Sequence, residues 1–291
     1  MHYTTVKGIL SSKNGMNIYR GCAHGCIYCD SRSKCYGFEH DFEDIEIKEN
    51  ALELLEDALK RKRKKCMIGT GSMCDPYTVP EAQIKYTRRS LELIYEYGFG
   101  ASILTKSSLI MRDLDIIKKI NDSTKCVVQM TMTTYDEQLC RIIEPNVCST
   151  KSRFETLCAM RDAGVPTVVW MTPILPFIND TPENINGLLD YCVQAGVYGI
   201  ITFGFGLTLR EGNREYFYAA LDRHFPGLKE RYIRAYGQSY ELPSPRNDEL
   251  CDILASRCEK SGIKYNSGEV FSYLSEFEDK SAPPLFSFFD S

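Results

Sequence analysis

Short apolar segments rich in β-branched residues alternate along the chain with longer segments whose apolar residues recur at helical spacing. This pattern predicts six strand-then-helix units, which implies parallel strands joined by right-handed crossovers. The predicted strands lack a clean two-residue alternation, as is typical of a sheet covered by helices. The predicted strands are 16–20, 66–70, 101–105, 126–132, 167–171 and 198–205. The predicted helices that follow the first five are 49–64, 81–97, 113–121, 136–163 (broken at Glu144-Pro145) and 181–195.

The number of units predicts the architecture. A full (β/α)8 barrel would need two further units, but after residue 205 the pattern predicts helices at 213–224, 226–236 and 245–260. Only one weak strand follows, at 263–265, and residues 271–291 are predicted to be an arm on the surface. We therefore predict an α/β fold, an incomplete (β/α)6 TIM-like barrel over 1–210 with a mostly helical C-terminal extension over 211–291.

Composition excludes several classes of protein. Of the 291 residues 43% are hydrophobic and 25% charged, which argues against disorder. No apolar run is long enough for a membrane helix, and the start, MHYTTVKGIL, lacks the features of a secretory signal. We expect a cytoplasmic protein with no membrane partner.

The charge balance limits contacts with nucleic acid. With 35 Lys+Arg and 39 Asp+Glu the net charge is −4, so such a contact would need a local basic patch. Lys60–Lys65 are six consecutive basic residues at the end of a predicted helix, where cations suit the helix dipole. A solvated helix end is the favoured interpretation and a phosphate-binding patch is the alternative.

Cysteine is unusually frequent, with 13 residues. An odd number without a secretory signal does not predict a disulfide framework, so most are expected to be small buried hydrophobes. Cys22, Cys26 and Cys29 differ, because their C-x3-C-x2-C spacing beside glycines suits three irons of a cubane cluster. A tetrahedral zinc site would need a fourth protein ligand; a zinc knuckle or a redox thiol loop remains the alternative.

This spacing, with an aromatic residue before the last cysteine, resembles the radical S-adenosylmethionine (SAM) superfamily. The wider segment Tyr19–Asp30 resembles its spore photoproduct lyase-related, or DNA repair photolyase-like, group. Segments 71–77, 104–106, 143–145 and 173–176 resemble the same group, in the same order. The resemblance covers residues 17–205 and implies that the incomplete barrel is a radical SAM barrel.

The resemblance implies roles for several residues. Cys22, Cys26 and Cys29 would bind a [4Fe-4S] cluster whose fourth iron is chelated by SAM, and Tyr28 and the segment beginning at Pro173 would contact adenine. Other candidates follow predicted strands, where ligands bind in α/β barrels. Ser72 and Asp75 are candidates for the SAM amino group, and Lys106 for its carboxylate. Thr131 and Thr133 are candidates for the ribose or carboxylate, although plain packing is the favoured interpretation of each.

Cys74 and Tyr77 are the candidate catalytic residues. Spore photoproduct lyase returns hydrogen from a cysteine near this strand end, three residues before the aspartate of the segment. Here Ser72 holds that place and Cys74 directly precedes Asp75. Cys74 is therefore a shifted hydrogen donor or a packing residue, and Tyr77 lines the pocket or relays a radical.

The resulting hypothesis is a radical SAM enzyme that reductively cleaves SAM to a 5′-deoxyadenosyl radical for hydrogen abstraction. A nucleic-acid base is the first candidate substrate, as in photoproduct lyase-like repair. Radical modification of a peptide or small metabolite is the alternative, and a non-catalytic iron–sulfur sensor is a third class. The expected electron donor is of the flavodoxin or ferredoxin type. Residues 284–289 faintly resemble peptides that dock bacterial sliding clamps.

Overall fold

A six-stranded parallel sheet is the centre of the structure, a computed structural model that describes residues 1–280. The strands are β1 His2–Thr4, β2 Gly15–Met16, β3 Tyr19–Arg20, β4 Glu46–Lys48, β5 Met67–Thr70, β6 Gly100–Thr105, β7 Cys126–Thr131, β8 Thr167–Trp170, β9 Gly199–Ile201, β10 Gly206–Thr208 and β11 Glu241–Pro243. The helices are α1 Ala51–Arg61, α2 Glu81–Ile84, α3 Tyr86–Glu96, α4 Leu114–Ser123, α5 Glu137–Ile143, α6 Thr150–Asp162, α7 Pro182–Ala195, α8 Asn213–His224, α9 Leu228–Tyr236, α10 Asn247–Ser261 and α11 Ser267–Ser275.

The main sheet has the order β2-β5-β6-β7-β8-β9, and all of its strand pairs are parallel. This confirms the predicted α/β fold with six parallel strands. Helices α1, α3, α4, α6 and α7 bury apolar residues such as Leu55, Ile117 and Leu188 in the same core as Ile103 and Val128 of the sheet. One face of the sheet is therefore covered by the crossover helices, as the unalternating strand pattern indicated.

The predicted strand 16–20 is two short strands in different sheets. β2 pairs with β5 in the main sheet, whereas β3 pairs antiparallel with β4 in a three-stranded sheet that also contains β1. The prediction of one strand was wrong because the chain crosses between sheets at Asn17-Ile18. That crossing places the segment after β3 beside the carboxyl edge of the main sheet.

The predicted helix 81–97 is broken at Lys85, whose φ is 55°. The Glu81 carboxylate stabilises the start of a second helix, α3. Its oxygens accept hydrogen bonds from the backbone N–H groups of Thr87 (2.8 Å) and Arg88 (3.3 Å). It thereby satisfies donors that the first turn of α3 leaves unpaired. Tyr19 also donates its hydroxyl to Glu81, at 2.5 Å.

The predicted strand 198–205 ends early. The chain turns away after β9, with Gly204 at φ 84°, and β10 then pairs antiparallel with β11. The weakly predicted strand 263–265 forms one parallel bridge, between Lys264 and Gly199. The turn leaves Phe203 68% exposed.

Residues 271–275 are not part of a surface arm, because they lie in α11. Val270 and Leu274 pack with Val127, Val168 and Ile201 on the face of the sheet opposite the crossover helices. The part of the arm beyond residue 280, including 284–289, lies outside the described residues. In the part of the chain that is described, no helix is long and apolar enough to cross a membrane.

Candidate active site

A cavity of about 700 Å³ lies at the carboxyl edge of the main sheet. Five strands of the sheet contribute to its lining. The segments that follow β5, β6, β8 and β9 line the cavity, as does Thr131 at the end of β7. The loop after β3 brings Cys22, Cys26 and Cys29 to the same cavity. This is the edge at which α/β folds bind ligands.

The backbone of the cysteine loop is fixed by hydrogen bonds to neighbouring segments. Cys22 N–H donates to the Phe42 carbonyl at 2.9 Å, and Ile27 N–H donates to the Ile143 carbonyl at 3.0 Å. Gly21 has φ 85°, and a Cβ there would lie 2.5 Å from the Phe42 oxygen. A glycine is therefore required for the loop to approach the 42–46 segment so closely.

The three thiols of the loop line one cavity. Cys22 and Cys26 are buried and Cys29 is half-buried, and none of the three is in a disulfide. Burial raises the pKa of Cys22 to about 11, so binding of metal must displace its proton.

Lys106 places a cation in this cavity. Within residues 1–280 its ammonium group has no hydrogen-bond or ion-pair partner, and it lies 5.9 Å from the centroid of the Tyr28 ring. Burial opposes its charge, but surrounding acidic groups outweigh this effect and raise the pKa of Lys106. Those groups are Cys26, Glu144, Cys29 and Asp75.

Asp75 lines the cavity, but its carboxylate mainly holds the strand ends together. It accepts hydrogen bonds from Thr105 Oγ1 (2.6 Å), Lys106 N–H (2.7 Å) and Tyr77 N–H (2.9 Å). His24 Nδ1 lies 3.6 Å from it. Asp75 therefore fixes the backbone of Lys106, a role that the sequence did not indicate.

Tyr28 connects the cysteine loop to a buried ion pair that the sequence analysis missed. Its hydroxyl donates to Glu144, and Glu144 lies 2.5 Å from Arg153. Both charged side chains are fully buried. Arg153 also donates to the Thr131 carbonyl at 3.0 Å. The sequence signal for this pair is Glu144-Pro145, which by itself indicates only a helix break and a point of family resemblance.

Cys74 and Ser72 both line the cavity. Cys74 is buried, and its thiol donates to the Gly21 carbonyl at 2.7 Å, beside the cysteine loop. Burial raises the pKa of Cys74 well above its usual value, which keeps it a neutral thiol. Ser72 is exposed in the loop after β5.

Two candidates lie outside the cavity lining. Tyr77 is buried, with its hydroxyl near Asp113, and burial raises its pKa. Thr133 is buried behind the cavity, where its hydroxyl lies 3.4 Å from Glu144. Neither side chain lines this cavity, because the chain beyond each strand end turns both into the core. Tyr77 was expected to line the pocket and does not, whereas the placement of Thr133 fits the packing interpretation.

Aromatic side chains also line the cavity. Thr131 and Pro173 line the cavity, together with Trp170 and Phe203, which the sequence analysis did not single out. The rings of Trp170 and Phe203 meet edge to face with centroids 6.2 Å apart. The lining thus combines thiols, a cation and aromatic rings.

The chain belongs to the radical SAM superfamily, whose family model matches residues 16–192. Members of this superfamily bind a [4Fe-4S] cluster and SAM. An uncharacterised protein of Mycobacterium tuberculosis, Rv2578c, is 30% identical over 248 residues, covering 82% of this chain and 72% of the relative. An uncharacterised protein of Methanocaldococcus jannaschii, MJ0683, is 32% identical over 59% of this chain and 64% of its own length.

Solved structures of spore photoproduct lyase share the fold. A cysteine-to-serine mutant superposes with a TM-score of 0.65 at 15% identity, over 90% of this chain and 79% of that one. The enzyme in complex with a dinucleoside spore photoproduct gives 0.62 at 13% identity, over the same shares. The radical SAM methyltransferase TsrM, with tryptophan and a SAM analogue, gives 0.55 at 14% identity, over 83% and 51%.

Proposed function

We propose that this protein is a radical SAM enzyme in which Cys22, Cys26 and Cys29 bind a [4Fe-4S] cluster through three irons. The observation that carries the proposal is the presence of three buried-to-half-buried thiols and of Lys106 in one cavity at the carboxyl edge of a parallel sheet. The Lys106 ammonium has no ion-pair partner among the residues that the structure describes. In this proposal the six strands form an incomplete barrel. When bound, the cluster and SAM supply a 5′-deoxyadenosyl radical that abstracts hydrogen from a substrate.

The chain's own residues bind and position the cofactor. The Lys106 ammonium is free to pair with the SAM carboxylate, while Asp75 holds the Lys106 backbone in place. Ser72, Thr131, Tyr28 and the segment beginning at Pro173 are the other proposed SAM contacts, since all of them line the cavity. An electron from a flavodoxin or ferredoxin-type donor is required.

We propose a nucleobase-bearing substrate, with the aromatic side chains of the cavity lining as support. Trp170 and Phe203 present ring surface to the cavity, and a base stacked on such a ring gains about 1–3 kcal/mol. The cysteine at position 74, a neutral buried thiol at the same cavity, is the proposed hydrogen donor. Binding of a single-stranded oligonucleotide that weakens with added salt would support this substrate class, and absence of binding would favour a peptide or small metabolite.

The enzyme class is tested by anaerobic reconstitution with iron and sulfide, reduction with dithionite, addition of SAM and quantification of 5′-deoxyadenosine. Wild type should form 5′-deoxyadenosine, whereas Cys26→Ala should form none. Cys66→Ala is the matched control, because Cys66 does not line this cavity. Lys106→Met should bind SAM about 10- to 100-fold more weakly, as expected for loss of a hydrogen bond to a charged group.

Two outcomes would contradict the proposal. If Cys26→Ala retained the cluster and the product, the thiol assignment would be wrong. If wild type carried a full cluster, formed no 5′-deoxyadenosine, and showed an EPR signal unchanged by SAM, the protein would be a cluster protein without SAM chemistry.

A further inference from the structure

A second cavity, of about 310 Å³, lies on the face of the main sheet that α11 partly covers. Three of its lining residues, Ser72, Leu104 and Trp170, also line the candidate active site. The two cavities therefore lie on either side of the same side chains. A molecule that extends beyond the active site past Trp170 would enter this second cavity.

Gly69 keeps the second cavity open. It lies in β5 and lines the cavity, and a Cβ at this position would meet no atom within 4 Å. Its φ is not in the left-handed region, so backbone conformation does not require a glycine. A glycine inside a strand weakens it and commonly marks a place that another group must approach. Here that group would be a ligand, because residues 1–280 leave the space in front of Gly69 empty.

The lining indicates the chemistry of the ligand. Trp170 is held in place by its indole N–H, which donates to Gln129 Oε1 at 2.7 Å. Phe271 of α11 contacts Trp170 edge to face, at 5.8 Å between centroids. Among residues 1–280, Lys13 is the one charged residue that lines this cavity. A lining that contains both aromatic rings and a cation suits a planar group joined to an anionic group.

We propose that this second cavity is a substrate subsite, which binds a planar group beside Trp170 and an anionic group near Lys13. The reacting part of the same molecule lies in the first cavity. This inference rests on the proposed function and adds that the substrate is longer than one nucleoside or one amino acid. A dinucleotide and an acidic aromatic peptide both carry this chemistry, and the test separates them.

Trp170 supplies the measurement, because it is the single tryptophan of the chain. The cluster-loaded enzyme with SAM is titrated anaerobically with thymidylyl-thymidine or with N-acetyl-Phe-Asp-amide, and emission excited at 295 nm is followed. One of the two probes should change the emission saturably. Gly69→Leu should weaken that binding at least tenfold, because its side chain fills the cavity. Gly8→Leu is the matched control, since a Cβ at Gly8 also meets nothing within 4 Å and Gly8 lines neither cavity.

A second variant keeps the test valid if Gly69→Leu folds poorly. Lys13→Glu changes an exposed side chain and should weaken binding of the anionic probe about tenfold, with no loss for thymidine or N-acetyl-Phe-amide. The subsite is overturned if neither probe binds, if both variants bind the probe as wild type does, or if Gly69→Leu loses the SAM-induced change in the cluster EPR signal. Formation of 5′-deoxyadenosine by wild type tests the proposed function separately, so the two failures are distinguishable.

Discussion

At the scale of single residues, Glu144 carries a charge that no water reaches. Its neighbours are Arg153 at 2.5 Å and the Tyr28 hydroxyl, and Arg153 is fully buried as well. Burial alone would raise the pKa of Glu144, but Arg153 and Lys106 outweigh it and hold that pKa below its usual range. The pair therefore positions Tyr28, and with it the cysteine loop, from behind the cavity.

We expect Glu144→Gln to destabilise the fold. The change leaves the Arg153 guanidinium buried without its counter-charge, and breaking a buried pair in this way costs about 3–5 kcal/mol. Urea unfolding of the protein without cluster should show a lower midpoint with an unchanged slope. The matched control is Glu249→Gln, because Glu249 pairs with Arg246 on the exposed surface and its loss should change the midpoint little. Equal midpoints for the two variants would contradict the structural role.

Some site residues are predictable from the sequence and others are not. The cysteine spacing and the position of Lys106 after a strand are local features, so both were identified. Tyr77 and Thr133 also follow strands, but the direction in which a loop turns its side chains depends on packing. Trp170 and Phe203 were missed for a related reason, since an aromatic residue at a strand end is usually core. Only the turn after β9 exposes Phe203.

At the scale of elements, the close approach of the loop after β5 to β6 positions Asp75 and Lys106. Gly71 has φ 98°, and a Cβ there would lie 1.8 Å from the Leu104 carbonyl oxygen. We expect Gly71→Ala to separate the two strand ends. Gly37→Ala is the matched control, because Gly37 also has a positive φ (64°) but open space around it.

Both alanine variants should lose about 1–2 kcal/mol for a left-handed backbone, and Gly71→Ala about 1–3 kcal/mol more for the steric overlap. The free energy of unfolding from urea titration measures the difference. If the two variants lost the same amount, the approach of the loop to Leu104 would not be tight. The boundaries of β5 and β6 were predictable from their apolar segments. The close approach of Gly71 to Leu104 was not, because strand patterns carry no information on the distance between loops.

At the scale of the whole molecule, the cysteine loop, α5 and the ends of five strands meet only in the folded chain. A ligand that binds this assembly and not the unfolded chain must stabilise it by mass action. We therefore expect the cluster-loaded protein to unfold several degrees above the cluster-free protein in anaerobic calorimetry. For a chain of this size each kcal/mol corresponds to about 2–4 °C.

The same experiment on the variant with Cys22, Cys26 and Cys29 all changed to alanine isolates the source of the shift. This variant should bind no cluster, and its midpoint should be the same before and after reconstitution. The Cys66→Ala protein should shift as wild type does, because Cys66 lies outside the candidate active site. A shift of the unfolding midpoint in the triple variant would mean that iron binds elsewhere in the chain. An unchanged midpoint in wild type at full iron loading would mean that the cluster does not bridge the elements that form the cavity.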